Sequence, residues 1–189
     1  MEEIFKSEGG FVNDPHDTGG ATNMGITIGT LRKHRSSPVS VKDVRNLTKV
    51  EARAIYTKRY WRKVQGDALP SGIDAAVMDF AVNSGPARAI MFLQEIVGEV
   101  QDGVLGPNTL RKTRAMPNQR DLINHFCDSR MSFLRSLRSF RRYGTGWTRR
   151  VEGIRGLGLR LVNEPSPEAV EKVTLKSILT KLWRLVCGA

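Results

Sequence analysis

The chain of 189 residues is 40% hydrophobic and 26% charged, enough apolar matter to bury a core and too much for a disordered segment. Thirty lysines and arginines against nineteen acids give a formal net charge of +11, which calls for a polyanionic partner: nucleic acid, anionic membrane or cell-wall polymer. No run of roughly 18 apolar residues is present, and "MEEIFKSEGG" has neither a basic n-region nor an apolar h-region, so the expectation is no membrane span and no signal peptide. Cys127 and Cys187 lie 60 positions apart (187 − 127) without a CxxC pair, and read as buried or idle thiols rather than a disulfide or metal site.

In chain order, Ile4 and Phe5 support about two helical turns that Gly9-Gly10 would stop, with Glu8 as the last helical residue. Residues 8 to 28, "EGGFVNDPHDTGGATNMGITI", hold five glycines, three acids and two amides, which is loop chemistry. "DTGG" signals a turn and "TNMGITI" a returning strand, so a short hairpin is expected. Capping boxes are expected at Ser40 to Asp43, Thr48 to Glu51 and Ser71 to Asp74. Period-3.6 patterns follow the second and third, through Ile55, Tyr56 and Tyr60 and through Ile73, Ala76, Val77 and Phe80. Pro86 restarts a helix after "NSG", and "QDGVLG" leads to another helix start at Pro107. Pro117 breaks that helix; residues 119 to 143 resume it, "YGTGW" is read as a turn, and a last core helix is expected from about Trp147 to Val162. "NEPSPE" reads as a linker to an amphipathic helix carrying Val170, Val173, Ile178, Leu179, Leu182 and Val186. The sum is a mostly α protein with one early hairpin.

Glu8 is the residue to which chemistry attaches. Cleavage of a glycosidic bond needs an acid that protonates the leaving oxygen and, in inverting enzymes, a group that orients water on the opposite face. A glutamate at a helix end beside Phe11 can be desolvated enough to hold its proton. Asp17 lies nine positions on (17 − 8), on a glycine-flanked turn, and Thr22 and Asn23 bring a hydroxyl and an amide back on the strand. Two other readings fit the same residues: turn and cap formers satisfying their own backbone, and a calcium loop, although the D-x-D-x-D-G pattern with its distal glutamate is missing.

"EGGFVNDPHDTGGATNMGIT" resembles the signature of glycoside hydrolase family 108, and "YWRKV", "LPSGIDAAVMDFAVNSGPARA", "LQ", "DGVLGPNTL" and "GWTRR" resemble later blocks of that family in the same order, from Glu8 to about Leu161. The resemblance implies a lysozyme-like two-lobed fold and a phage endolysin: an N-acetylmuramidase joined to a small helical peptidoglycan domain. It implies residues 1–86 as the catalytic region, 87–162 as a helical peptidoglycan-binding-like region, and 163–189 as a linker and C-terminal amphipathic helix. It further implies Glu8 as the catalytic acid. Similarity to coliphage lysozymes adds Asp17 and Thr22 as the water-positioning partners, with Asn23 able to take the place of Thr22. Two departures stand out: the leading helix is shorter than the family's, and Thr18 stands where the family has proline.

Other residues have paired readings. Asp79 and Asn83, four apart on one helical face, are either a buried polar network or a cleft wall, with Asn83 kept as a substrate contact. Tyr60 and Trp61 are either core or platforms for sugar rings. His16, His34 and His125 have no ligand spacing, and no metal or organic cofactor is expected. "DGVLGPNTL" resembles the loop of peptidoglycan-binding modules, and Asp102, Gly103 and Gly106 would in any case make a turn and cap. Between Arg130 and Arg160 nine arginines face one acid, Glu152, so this stretch is expected to attract the wall or an anionic membrane. No nucleic-acid motif appears, and no specific nucleic-acid partner is expected. The basic terminal helix, with Lys172, Lys176, Lys181 and Arg184, would lie on a membrane or dock on the core.

The expectation is therefore a monomeric endolysin cutting the β-1,4 bond between N-acetylmuramic acid and N-acetylglucosamine, held in the host cytoplasm until a separate holin admits it to the periplasm and wall. The alternatives are a lytic transglycosylase acting on the same bond and a non-catalytic wall-binding protein.

Overall fold

The structure, a computed structural model, describes residues 10–13 and 20–163. The expected opening helix, the "DTGG" turn and the C-terminal amphipathic helix fall outside these residues.

A two-residue hairpin begins the described fold. β1 (Thr22–Asn23) pairs antiparallel with β2 (Ile26–Thr27), Thr22 opposite Thr27 and Asn23 opposite Ile26. Met24 and Gly25 fill the turn with φ of 48° and 70°, the doubly positive geometry whose twist matches two-residue hairpins. The strain at Met24, which has a side chain, is held by Tyr56, whose hydroxyl donates to the Met24 carbonyl at 3.0 Å. Val12 adds a bridge on the other side, exchanging both backbone bonds with Thr22 at 2.8 Å.

Three short helices close this lobe: α1 (Ile28–Arg35), α2 (Val41–Arg45) and α3 (Lys49–Tyr56). At Ser40 the expected capping box is complete, with Ser40 accepting from Asp43 N and the Asp43 carboxylate accepting from Ser40 N. At Thr48 only half forms, because the Glu51 carboxylate is drawn to the Arg35 guanidinium at 2.7 and 2.8 Å. Ala21, Ile26, Leu31, Val44, Ala52, Ile55 and Tyr56 make its core.

A π-turn (Thr57–Trp61) and a 3-10 turn (Gly66–Ala68) lead to the larger, helical lobe. Here α4 (Ile73–Ser84) is apolar on nearly every side, as a helix surrounded by others must be. Around it pack α5 (Pro86–Ile96), α7 (Gln119–Ser136) and α8 (Phe140–Asn163), with α6 (Pro107–Ala115) preceding α7. Their core runs through Ile73, Val77, Phe80, Leu93, Phe126 and Leu134. Met78 of α4 belongs to the smaller lobe's core, and Tyr60 packs on both. The fold is mostly α and two-lobed with one small hairpin near its start, as expected.

Two local expectations are corrected. Ser71 does not cap α4: Gly72 occupies the N-cap at φ 95°, and the Ser71 hydroxyl donates to Leu161 O at 3.3 Å. Gly72 is required because an added Cβ would stand 2.5 Å from Gly158 O, where α8 crosses the start of α4. "YGTGW" is not a turn but lies inside α8, and the break comes earlier, at Leu137 to Ser139. Ser139 O there accepts from Arg142 N and Tyr143 N, starting the helix. Gly144 serves packing rather than turning: a Cβ would meet the Phe140 ring at 2.9 Å.

Candidate functional site

Glu8 and Asp17 lie outside the described residues, so the site is built from the elements around them in sequence and from the cavity between α4 and α8. Thr22, on β1, donates its hydroxyl to Gly20 O at 3.1 Å and keeps its oxygen lone pairs for another donor. Asn23, next to it, is 8% exposed and gives its amide hydrogens to Val44 O and Arg45 O at 3.0 and 3.1 Å. Those two bonds tie the hairpin to the end of α2. Both residues keep an acceptor oxygen, and Thr22 is the less buried of the two and so the more accessible to a water.

Tyr60 and Trp61 sit on the π-turn. Tyr60 is half-buried, its ring 5.6 Å from that of Tyr56. Trp61 lies so close over Gly66 that a Cβ there would fall 2.4 Å from the indole, and its Nε1 donates to Asp67 at 2.9 Å. Tyr60 thus joins the lobes, Trp61 packs on the smaller one, and each spends a face on the protein.

Asp79 and Asn83 share one side of α4 and part company in role. Asp79 is 2% exposed and holds two arginines. Arg130 Nη1 donates to Oδ2 at 2.7 Å, and Arg150 Nε reaches Oδ1 and Oδ2 at 3.0 and 3.2 Å. Arg130 is itself buried, its guanidinium 5.0 Å above the Phe80 ring, and burial pulls its pKa below the usual arginine range against the pull of Asp79. A carboxylate that neutralises one buried cation and shares another locks α4 to α7 and α8 and leaves the cluster net positive. Asn83 is exposed one turn on, its Oδ1 accepting from Ser84 at 3.3 Å.

Both line a cavity of about 580 Å³ walled on its other side by Trp147, Arg149, Arg150, Gly153 and Arg160 of α8. Trp147 is propped by Phe140 and Tyr143, ring centroids 6.2 and 5.9 Å away. The cavity joins an aromatic face, an exposed amide and several guanidinium groups, donors suited to a sugar or an anion. Sequence reasoning named Asn83 here but not the α8 wall. The signal was present in "GWTRR", whose tryptophan and arginines repeat on the face that turns to α4.

The "DGVLGPNTL" loop resolves as architecture. Asp102 accepts from Gln94 Nε2 and Val104 N at 2.7 and 2.8 Å, Gly103 takes φ 73°, and Gly106 caps α6. The buried Gln94 also donates to Val104 O and lies 3.3 Å from the Thr109 hydroxyl, binding α5 to α6. The arginine stretch is better neutralised than its composition indicated. Two acids come from outside it: Asp79 pairs Arg130 and Arg150, and Asp128 joins Glu152 of the stretch at Arg155.

Residues 1–85 match the family model described as Glycosyl hydrolase 108. Among solved structures the chain is similar to SagA of Brucella abortus, at 47% identity and a TM-score of 0.78, over 87% of this chain and 94% of that one. No curated protein sequence matches the chain. A matched segment that carries the glutamate loop, and identity of this level along nearly the whole of both chains, place the protein in glycosyl hydrolase family 108, a family of peptidoglycan-degrading glycosidases.

Proposed function

We propose that the protein is an endolysin that hydrolyses the β-1,4 bond between N-acetylmuramic acid and N-acetylglucosamine. The observation that carries this reading is the family match over residues 1–85, which spans Glu8, Asp17 and Thr22 together. In the proposed mechanism Glu8 protonates the leaving glycosidic oxygen, and Asp17 holds a water for attack on the opposite face of the sugar. Thr22, whose hydroxyl keeps its acceptor capacity, supports that water; Asn23 is the lesser candidate because it is buried and tied by its amide to the end of α2. The division of labour proposed with it is a catalytic region over 1–86, a wall-contacting helical region over 87–162, and a linker and amphipathic helix over 163–189. A monomer that waits in the host cytoplasm and meets the wall through a separately encoded pore completes the proposal.

The test is mass spectrometry of soluble products from purified peptidoglycan, with borohydride reduction, for the wild type and Glu8→Gln. Reducible N-acetylmuramic ends that vanish in a folded Glu8→Gln variant are expected. Anhydro ends would make the protein a transglycosylase, and fragments released undiminished by the variant would remove Glu8 from its role. No fragments from either protein would leave a wall-binding module.

A further inference from the structure

The glycan of peptidoglycan is neutral along its N-acetylated backbone, yet the α4–α8 cavity is lined with cations. Asp79 is already engaged by Arg130 and Arg150. Arg149 and Arg160, both exposed at the cavity wall, make no ion pair and no hydrogen bond with any described residue. Exposed guanidinium groups with no acid beside them among the described residues are free to receive an anion.

The helix between them is cut low. Gly146 and Gly153 both line the cavity seven positions apart, and a Cβ at either would meet nothing within 4 Å among the described residues. Packing therefore does not explain them, although glycine in a helix interior is less favourable than alanine. Their effect is to bare the α8 backbone to a ligand, Gly153 between Arg149 and Arg160 and Gly146 one turn before Arg149. Those two residues are 11 positions apart (160 − 149), a rise of about 16 Å. An extended peptide covers that distance in about five residues.

We propose that this cavity binds the acidic peptide stem of peptidoglycan, with Arg149 and Arg160 receiving its carboxylates and Trp147 covering its apolar groups. The assignment rests on peptidoglycan being the substrate, and it adds that the enzyme reads the stem as well as the glycan. Guanidinium groups suit this task because their planar donors match carboxylate geometry.

The experiment is equilibrium binding to the full chain carrying Glu8→Gln, at fixed low ionic strength. The ligands are the disaccharide with a tetrapeptide stem, the same disaccharide with its lactyl carboxyl capped as the amide in place of the stem, and the free stem peptide. The stem-bearing ligand is expected to bind at least about tenfold tighter than the bare disaccharide, a preference that salt weakens. In Arg149→Gln/Arg160→Gln the preference falls to within about twofold, and Arg149→Lys with Arg160→Lys restores part of it. Gly153→Glu, which favours the helix and sets a carboxylate between the arginines, abolishes it by the same logic. Equal affinity for the two disaccharides, or a full preference surviving in the double glutamine variant, overturns the proposal. So does displacement of the stem peptide by a glycerol phosphate oligomer at lower concentration than by the stem itself. The free peptide separates the two readings: stem binding in a protein that releases no glycan fragments sinks the hydrolase and keeps the cavity, and cleavage with no stem preference does the reverse.

Discussion

At residue scale the decisive side chain of the helical lobe is Asp79. Its side chain is 3% exposed, between those of Arg130 at 1% and Arg150 at 16%, so its removal strands a cation that water cannot reach. Asp79→Asn keeps the shape and deletes the charge, and is expected to lower stability by about 3–5 kcal/mol, the range for breaking a buried pair from one side. Chemical denaturation of the variant checks this; a loss under about 1 kcal/mol would mean that the cluster is hydrated. Cys127 shows burial acting on a different group. Enclosure pushes its thiol up to about 11, against the pull of Arg155 and Arg130, so at pH 8 it stays protonated in the folded protein. In a Cys187→Ser chain, Cys127 is expected to resist a thiol reagent at pH 8 and to react only on unfolding. The sign extends to stability: between the ordinary thiol pKa and about 11 the unfolded chain loses a proton that the folded one keeps, so alkali favours unfolding. The burial of Cys127 could be read from its place on an apolar stripe. The partners of Asp79 could not, since they stand 51 and 71 positions away and only the packing of α7 and α8 on α4 brings them in.

At the scale of elements, glycine carries two opposite meanings. Gly72 and Gly158 are a contact between backbones, with Gly72 at φ 95° and each blocking a side chain on the other. Gly72→Ala is expected to cost about 3 kcal/mol, strain at positive φ adding to a clash that cannot be relieved by turning a side chain. A melting curve close to that of the wild type would show that α8 can slide away from α4. The sequence offered "SGID" as a capping box because serine three places before an acid usually is one; the close crossing of α8 decided otherwise. The same holds for "YGTGW", where two glycines and an aromatic pair resemble a turn until Phe140 is seen to need Gly144 bare. Elements whose ends are set by their own residues were legible, as at the Ser40 box and the proline starts at 86 and 107, whereas the described hairpin turns at Met24-Gly25, inside the stretch read as one returning strand. Elements whose ends are set by a distant helix were not.

At the scale of the whole molecule, the charge of +11 and its unevenness become a property of encounter rather than of fold. The large lobe spends Arg130, Arg150 and Arg155 on internal acids, which removes them from the account of long-range attraction. Arg135, Arg138, Arg141 and Arg142 remain exposed around the α7–α8 junction and make no ion pair with a described residue. They are the groups that an anionic wall would feel first. Replacing all four by glutamine lowers the formal charge from +11 to +7 (11 − 4) without touching a core residue. Clearing of whole sacculi at low ionic strength is expected to slow, because the approach of a polyanion and a polycation is steered over about a Debye length, roughly 30 Å at 0.01 M salt. The wild type should lose this advantage as salt is raised to about 0.15 M, where the length shrinks to roughly 8 Å, and the two rates should converge. Turnover of a small soluble muropeptide should not distinguish the two proteins, since its encounter needs no steering by that face. A variant that clears sacculi as fast as the wild type at low salt would move the wall-attracting surface away from the α7–α8 junction.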